Sequence, residues 1–236
     1  MNAVKKIVKY AILSHRWSDD ELSFQDFGQE RSLQSTGWAK IVSFCTEAAR
    51  QGMCFAWIDT CCIDKTSSAE LDESIRSMFK WYQSAATCII HLDQTTTLEN
   101  IAGDEWFRRG WTLQELLAPG SKKIQIFNRH WHCIASHSEN DGQSSSSKAL
   151  NIVSRVTGIP GHDLRRFRPS PREVDQRMTW AANREVTREE DSAYLLMGIF
   201  DVSISIAYGE GLDRAFYRLI EAIMAAGADP SVLNWG

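Results

Sequence analysis

Four short β-type runs, each followed by a stretch of a different period, constrain this chain more than any other feature. Tyr10-Ala-Ile-Leu-Ser14 stops at a polar cluster, Ser14-His15-Arg16-Trp17, as a buried parallel strand does on reaching the ligand-facing edge of its sheet. An acidic, polar loop to about Ser35 follows. Residues 37–51 then place Trp38, Ile41, Val42, Cys45, Ala48 and Ala49 at helical spacing, with Gly52 as the C-terminal stop. Cys54-Phe-Ala-Trp-Ile58 reads as the second strand and runs into Asp59-Thr-Cys-Cys-Ile-Asp64, again setting polar residues just past a strand's carboxyl end. Ser67 or Ser68 caps a helix with Glu70 in its first turn, continuing through Leu71, Ile75, Met78, Phe79 and Tyr82. Thr87-Cys-Ile-Ile-His-Leu92, a short helix from Trp111 to Leu117 closed by Pro119-Gly120, and Lys123-Ile-Gln-Ile-Phe127 complete the series. Strands alternating with helices predict an α/β fold, a parallel sheet flanked by helices on both faces. Ligands of such sheets bind beyond the strands' carboxyl ends, the side on which Ser14, His15, Asp59 and the approach to Glu115 are expected.

Within this frame Trp111-Thr-Leu-Gln-Glu115-Leu-Leu stands out, because it seats a carboxylate one helical turn after an indole, on the same face. Trp106-Phe-Arg-Arg109-Gly adds two aromatics and two guanidiniums upstream. Together they outline a floor for a flat anionic ligand beside an acid/base or charge-stabilising group. The plain alternative makes Trp111, Leu113 and Leu116 core, and Glu115 a solvated or Arg-paired residue of purely structural use.

The 236 residues are enough for one large domain or two small ones, and 43% hydrophobic with 24% charged residues is ordinary for a globular chain. A net charge of −4 without a strong Lys/Arg cluster gives no electrostatic footprint for nucleic acid or an anionic membrane. No signal peptide and no membrane-spanning run is visible, so a cytoplasmic protein without a membrane span is expected. The six cysteines then read as reduced, buried residues rather than a disulfide framework. His130, His132 and Cys133 lie close together in sequence but lack a second ligand pair, and no metal is expected there.

The run from Ser136 to Lys148, with four consecutive serines, has nothing to bury and is expected to be a mobile loop. The domain reading is therefore a core over 1–135, the Ser-rich loop over 136–148 and a helical extension over 149–236. In the extension, helices are expected over 149–157, 173–182 and 212–226, with another starting from a capping box at Thr187 and Glu190. Their apolar faces, around Tyr194, Leu195, Met197 and Phe200, call for packing against the core. Gly209-Glu-Gly211 is either a turn that offers amides to an anion or a plain helix entry. The ending, Asp229-Pro-Ser-Val-Leu-Asn-Trp-Gly236, has apolar residues but no terminal element, which suggests a piece of a longer chain.

Several blocks together resemble the fungal heterokaryon-incompatibility (HET) domain: Tyr10-Ala-Ile-Leu-Ser-His-Arg-Trp17, Trp57-Ile-Asp-Thr-Cys-Cys-Ile-Asp64, Arg109-Gly-Trp-Thr-Leu-Gln-Glu-Leu-Leu-Ala-Pro119, and Thr187 to Phe200 followed by Tyr208-Gly-Glu-Gly211. A more distant resemblance is to TIR domains, whose Trp-x-x-x-Glu falls on Trp111 and Glu115. It implies a TIR-like, flavodoxin-like sheet and a cell-death effector that cleaves NAD(P) at the nicotinamide–ribose bond, with NAD(P) as substrate and no resident cofactor. Glu115 would be the catalytic carboxylate. Trp17 or Trp111 would stack on a ring, Arg16 and Arg109 would hold phosphates, and Ser14, His15 and Asp59 would complete the pocket. The chain departs from TIR domains in its Cys61-Cys-Ile-Asp64 loop and its helical extension. Two other readings stay open. One is a non-enzymatic module that signals by self-association or receptor-driven clustering; the other is a Cys/His hydrolase pairing Cys61 or Cys62 with His15.

Overall fold

The computed structural model describes residues 8–29, 34–136, 144–227 and 229–234. Five strands form one sheet: β1 (Tyr10–His15), β2 (Phe55–Trp57), β3 (Thr87–His91), β4 (Ile124–Phe127) and β5 (Cys133–Ser136), in the order β2-β1-β3-β4-β5. The first four pair in parallel. The fifth, absent from the sequence reading, returns antiparallel on β4. Asn128 makes that return possible, because its side-chain carbonyl accepts from the backbone amides of both His130 and His132 and closes a tight turn. The protein is thus α/β with a mainly parallel sheet flanked by helices.

Strand parity divides the core. Ile12, Cys88, Ile90 and Ile126 face one side, whereas Ala11, Leu13, Ile89 and Phe127 face the other. The second side is covered by α1 (Thr36–Arg50) through Ile41, Phe44 and Ala48, with the Ser35 hydroxyl capping the helix at the Trp38 amide. The first side takes α2 (Ser68–Ser84), capped by Ser67 as its sequence predicts, and the short α3 (Thr112–Leu117). Two 3₁₀ turns, Leu98–Gly103 and Glu105–Arg108, lead into α3.

The extension packs on the same side as α2 and α3. It comprises α4 (Ser144–Thr157), α5 (Gly161–Arg166), α6 (Val174–Ala181), α7 (Asp191–Tyr194), α8 (Met197–Phe200) and α9 (Leu212–Gly227). Met178, Trp180, Tyr194, Leu195, Met197, Phe200, Leu219 and Ile223 are buried in one cluster with Ile12, Ile75, Phe79, Leu113 and Leu116. Two glycines allow the close approach. A methyl group on Gly110 would collide with Val186 and Leu195, and one on Gly198 with the Phe79 ring.

Two expectations change here. The serine run expected in a loop over 136–148 begins α4 at Ser144, while residues 137–143 lie outside the described residues. The capping box at Thr187 does not form: α7 starts at Asp191, and the Glu190 carboxylate turns away to accept from the Gly209 and Gly211 amides at 2.7 and 3.2 Å. The Gly-x-Gly turn does present amides to an anion, and that anion is the chain's own.

Candidate functional site

Past the carboxyl ends of β1 and β2 lies a cleft of about 610 Å³, large enough for a nucleotide-sized ligand. Its walls come from five stretches, one of them α2 through Leu71, Ser74, Ile75 and Met78. His15, Arg16 and Trp17 follow β1; Asp59, Ile63 and Lys65 follow β2; Glu105, Arg108, Arg109, Trp111 and Glu115 come from the approach to α3 and from α3 itself; Glu185, Val186, Thr187, Arg188, Asp191 and Tyr208 come from the extension. The structure therefore gathers His15, Arg16, Trp17, Asp59, Arg109, Trp111 and Glu115 at one opening.

Ser14 is placed differently. It shares parity with Ile12, points to the α3 side, and is fully buried. Its hydroxyl donates to Glu115 Oε2 at 2.5 Å and accepts from the Trp106 indole N–H at 2.9 Å. Ser14 is thus a support beneath Glu115 rather than a part of the cleft wall. The chain Trp106 to Ser14 to Glu115 holds the carboxyl in one orientation from residues 92 and 101 positions apart in sequence. Burial pushes the Glu115 pKa up, and the nearby Asp59 charge adds to it, while Ser14 and Arg109 pull the other way; the value reaches about 8. Glu115 is thus mainly protonated at neutral pH, in a wall that opens to the cleft.

The other residues around the opening are held by named contacts. The Trp17 indole donates to Asp59 Oδ2 at 2.8 Å. Lys65 Nζ sits 3.7 Å and the Arg109 guanidinium 5.4 Å from the centre of the same ring. These cations already occupy a surface proposed for a stacking base. Trp111 stands at the start of α3, its indole donating to Asp191 Oδ2 at 3.1 Å; Asp191 Oδ1 accepts from the Tyr208 hydroxyl at 2.8 Å. Burial raises the pKa of Asp191 despite those two donors. Arg16, expected on a phosphate, is bound to Glu105 at 2.7 Å and lies 3.7 Å from Asp93, so its charge is already matched. No carboxylate stands within salt-bridge distance of Arg109 among the described residues, so Glu115 is not its ion-pair partner.

His15 points to the α1 side, opposite Ser14, as parity requires. Its Nε2 is 3.7 Å from Glu21 and its Nδ1 3.9 Å from Asp59, too long for hydrogen bonds, and both ring nitrogens lack a partner. Burial works to raise the Glu21 pKa, but His15 and Lys40 hold it down at about 2. His91, the register partner of His15 on β3, stacks on Trp131 with ring centres 4.3 Å apart; burial lowers its pKa to about 3.

Neither cysteine of the hydrolase reading lines the cleft. Cys62 Sγ instead accepts from the Ile58 amide at 3.4 Å, and the neighbouring Cys61 thiol lowers its pKa to about 7. None of the six cysteines is in a disulfide, and of the residues expected to be buried only Cys61 and Cys88 are, the other four being exposed. Among the described residues no three His, Cys, Asp or Glu side chains cluster as a metal site; the His130 and His132 rings lie 6.2 Å apart.

The sequence reading missed the extension's share of the cleft. Asp191, Arg188 and Tyr208 sit more than 70 residues beyond Trp111 and carry no local signature of a site. The nearest signal was the block from Thr187 to Tyr208-Gly-Glu-Gly211. Arg184 shows how that block is attached: its half-buried guanidinium, whose pKa burial lowers to about 10, donates to the Arg109 carbonyl and the Thr112 hydroxyl, both at 2.8 Å. A parallel bridge between Arg109 and Glu185 completes the joint, with the Gly110 amide donating to the Glu185 carbonyl at 2.8 Å.

The protein is thus an α/β fold with a mainly parallel sheet, with Glu115 buried at the edge of a cleft past the strands' carboxyl ends. The chain belongs to the HET family: residues 10–101 match the family model described as Heterokaryon incompatibility protein (HET). It is 44% identical over 232 residues to vegetative incompatibility protein HET-E-1 of Podospora anserina, an alignment covering 92% of this chain and 16% of that protein. No solved structure gives a significant match. No described helix is long and apolar enough to cross a membrane.

Proposed function

We propose that this HET domain is a cell-death effector that hydrolyses NAD(P) at the nicotinamide–ribose bond. The observation that carries the reading is Glu115: a carboxyl held by Ser14 and Trp106, opening on a cleft at the strands' carboxyl ends. The strand order β2-β1-β3-β4, with Trp111 and Glu115 in Trp-x-x-x-Glu spacing, supports a TIR-like, flavodoxin-like assignment. Similarity to an incompatibility protein supports the cell-death role.

The bond between the ribose C1′ and the pyridinium nitrogen breaks, and its electron pair returns to the ring, releasing neutral nicotinamide. Positive charge then develops on the ribose, where an ionised Glu115, buried away from bulk water, stabilises it. Water adds at C1′ and loses a proton, giving ADP-ribose, or its phosphorylated form from NADP. The raised pKa of Glu115 has a place in this scheme, because an uncompensated buried carboxylate gains most when a cation forms beside it. Glu115→Gln keeps shape and hydrogen bonding but loses the charge, and should slow nucleotide loss by about two to four powers of ten, or about 3–5 kcal/mol. Turnover unchanged in a folded Glu115→Gln protein refutes the enzyme.

A second reading is a self-associating signalling module without catalysis. It is favoured by the edge strand β2, where Phe55 is 59% exposed beside an unpaired backbone edge. Killing by a Glu115→Gln protein that consumes no nucleotide, lost on Phe55→Lys, would establish it.

A further inference from the structure

We infer that Arg188, carried by the helical extension and seated on Tyr208, is a phosphate-binding residue of the cleft, and that it selects ligands carrying a diphosphate. The inference rests on the nucleotide reading of the cleft and names the group that reads one end of the ligand.

Of the cations around the opening, Arg16 is matched by Glu105 and Asp93. Lys65, Arg108, Arg109 and Arg188 have no carboxylate within salt-bridge distance among the described residues. These cations come from three segments: the loop after β2, the approach to α3, and the extension, where the Arg188 charge also acts on Glu190 and Asp191 without pairing with either. Lys65 and Arg109 both lie over Trp17, so they form one cationic spot. Arg188 forms a second, its guanidinium 4.0 Å from the centre of the Tyr208 ring. A diphosphate, which spreads negative charge over two phosphoryl groups, matches two separate spots better than a single phosphate does.

The Arg188 platform is rigid. The Tyr208 hydroxyl donates to Asp191, whose other oxygen takes the Trp111 indole, so the ring is tied to the helix that carries Glu115. An arginine stacked on a fixed ring keeps its N–H edges free for a phosphate and loses less side-chain entropy on binding than a free one. The Gly209 and Gly211 amides, the other anion-binding feature of this wall, are occupied by Glu190. Arg188 is left as the anion-reading group of the extension.

Calorimetric titration of the whole chain with ADP-ribose and, separately, with adenosine tests the inference. Arg188→Gln should weaken ADP-ribose binding by about tenfold to a hundredfold and flatten its salt dependence, leaving adenosine binding within about twofold of the wild type. Arg172→Gln, on the exposed surface away from the cleft, controls for net charge. ADP-ribose binding that survives Arg188→Gln intact refutes the role of Arg188 and leaves the nucleotide reading standing. Equal loss of both ligands refutes it too, by making the effect structural. A wild-type protein that binds neither ADP-ribose nor NAD removes the nucleotide reading itself. Tyr208→Leu supplies a second perturbation: it should weaken ADP-ribose binding by loosening Arg188, and an unchanged affinity would overturn the platform argument.

Discussion

Replacing Glu115 by Gln should change how the protein's stability depends on pH, independently of any catalysis. Burial moves the Glu115 pKa from 4.5 to about 8. The folded state therefore holds a proton that the unfolded chain releases near pH 4.5. Below that pH both states are protonated and the group costs nothing. As pH rises from about 4.5 towards 8 the unfolded state binds fewer protons than the folded one, so stability falls; above about 8 the loss is complete. About 3.5 pH units at about 1.4 kcal/mol each give a loss on the order of 5 kcal/mol. Near pH 7 roughly two-thirds of it is already in place. A Gln at this position accepts from Ser14 without titrating, so the loss disappears. Urea unfolding of both proteins between pH 5 and pH 9, followed by circular dichroism, measures the difference directly. The wild type should lose several kcal/mol relative to Glu115→Gln across that range, with most of the change below pH 8. Coincident curves would mean that Glu115 is ionised and solvated in the folded protein, and the account of the site would collapse. A variant uniformly less stable by a fixed amount would point to a structural ion pair instead.

Three further outcomes follow from named contacts. If the ionised form of Glu115 works in catalysis, kcat/KM should rise with pH through about 8; Ser14→Ala removes a hydrogen bond that favours the charged form, so the rise should move to higher pH, and a profile that falls over this range contradicts the charge-stabilising role. Gly198→Ala drives a methyl into the Phe79 ring and should cost about 1–3 kcal/mol in unfolding free energy, against a helix-propensity gain of no more than about 1 kcal/mol, whereas a stabilised variant would disprove the close packing of α8 on α2. Cys62→Ser should leave nucleotide loss within about twofold, because Cys62 lies outside the cleft wall; abolished turnover in a folded variant would revive the thiol reading.

Local order was legible in the chain. The runs at Tyr10–Ser14, Thr87–Leu92 and Lys123–Phe127, and the helices over 37–51 and from Ser67 or Ser68 through Tyr82, announce themselves by period because a strand exposes alternate residues and a helix every third or fourth. The grouping of polar residues after the first two strands, and of Trp111 with Glu115, follows from the same periods joined to the rule that ligands sit at strand carboxyl ends. β5 escaped because its four residues depend on the Asn128 turn and on β4 rather than on a pattern of their own.

Tertiary structure alone decided which side of the sheet each polar residue serves. Ser14 and His15 are adjacent in sequence, yet one supports Glu115 from the α3 side and the other faces Glu21 on the α1 side. Parity predicts that they diverge but says nothing of what each will meet, since their partners arrive from residues 21, 106 and 115. Arg16 and Arg109 look alike as phosphate ligands in the sequence, and only folding brings Glu105 and Asp93 against the first. The extension's wall of the cleft, from Arg188 to Tyr208, and the raised pKa of Glu115 have the same origin. Burial and electrostatics are sums over neighbours in space, and a one-dimensional pattern carries only the terms that come from neighbours along the chain.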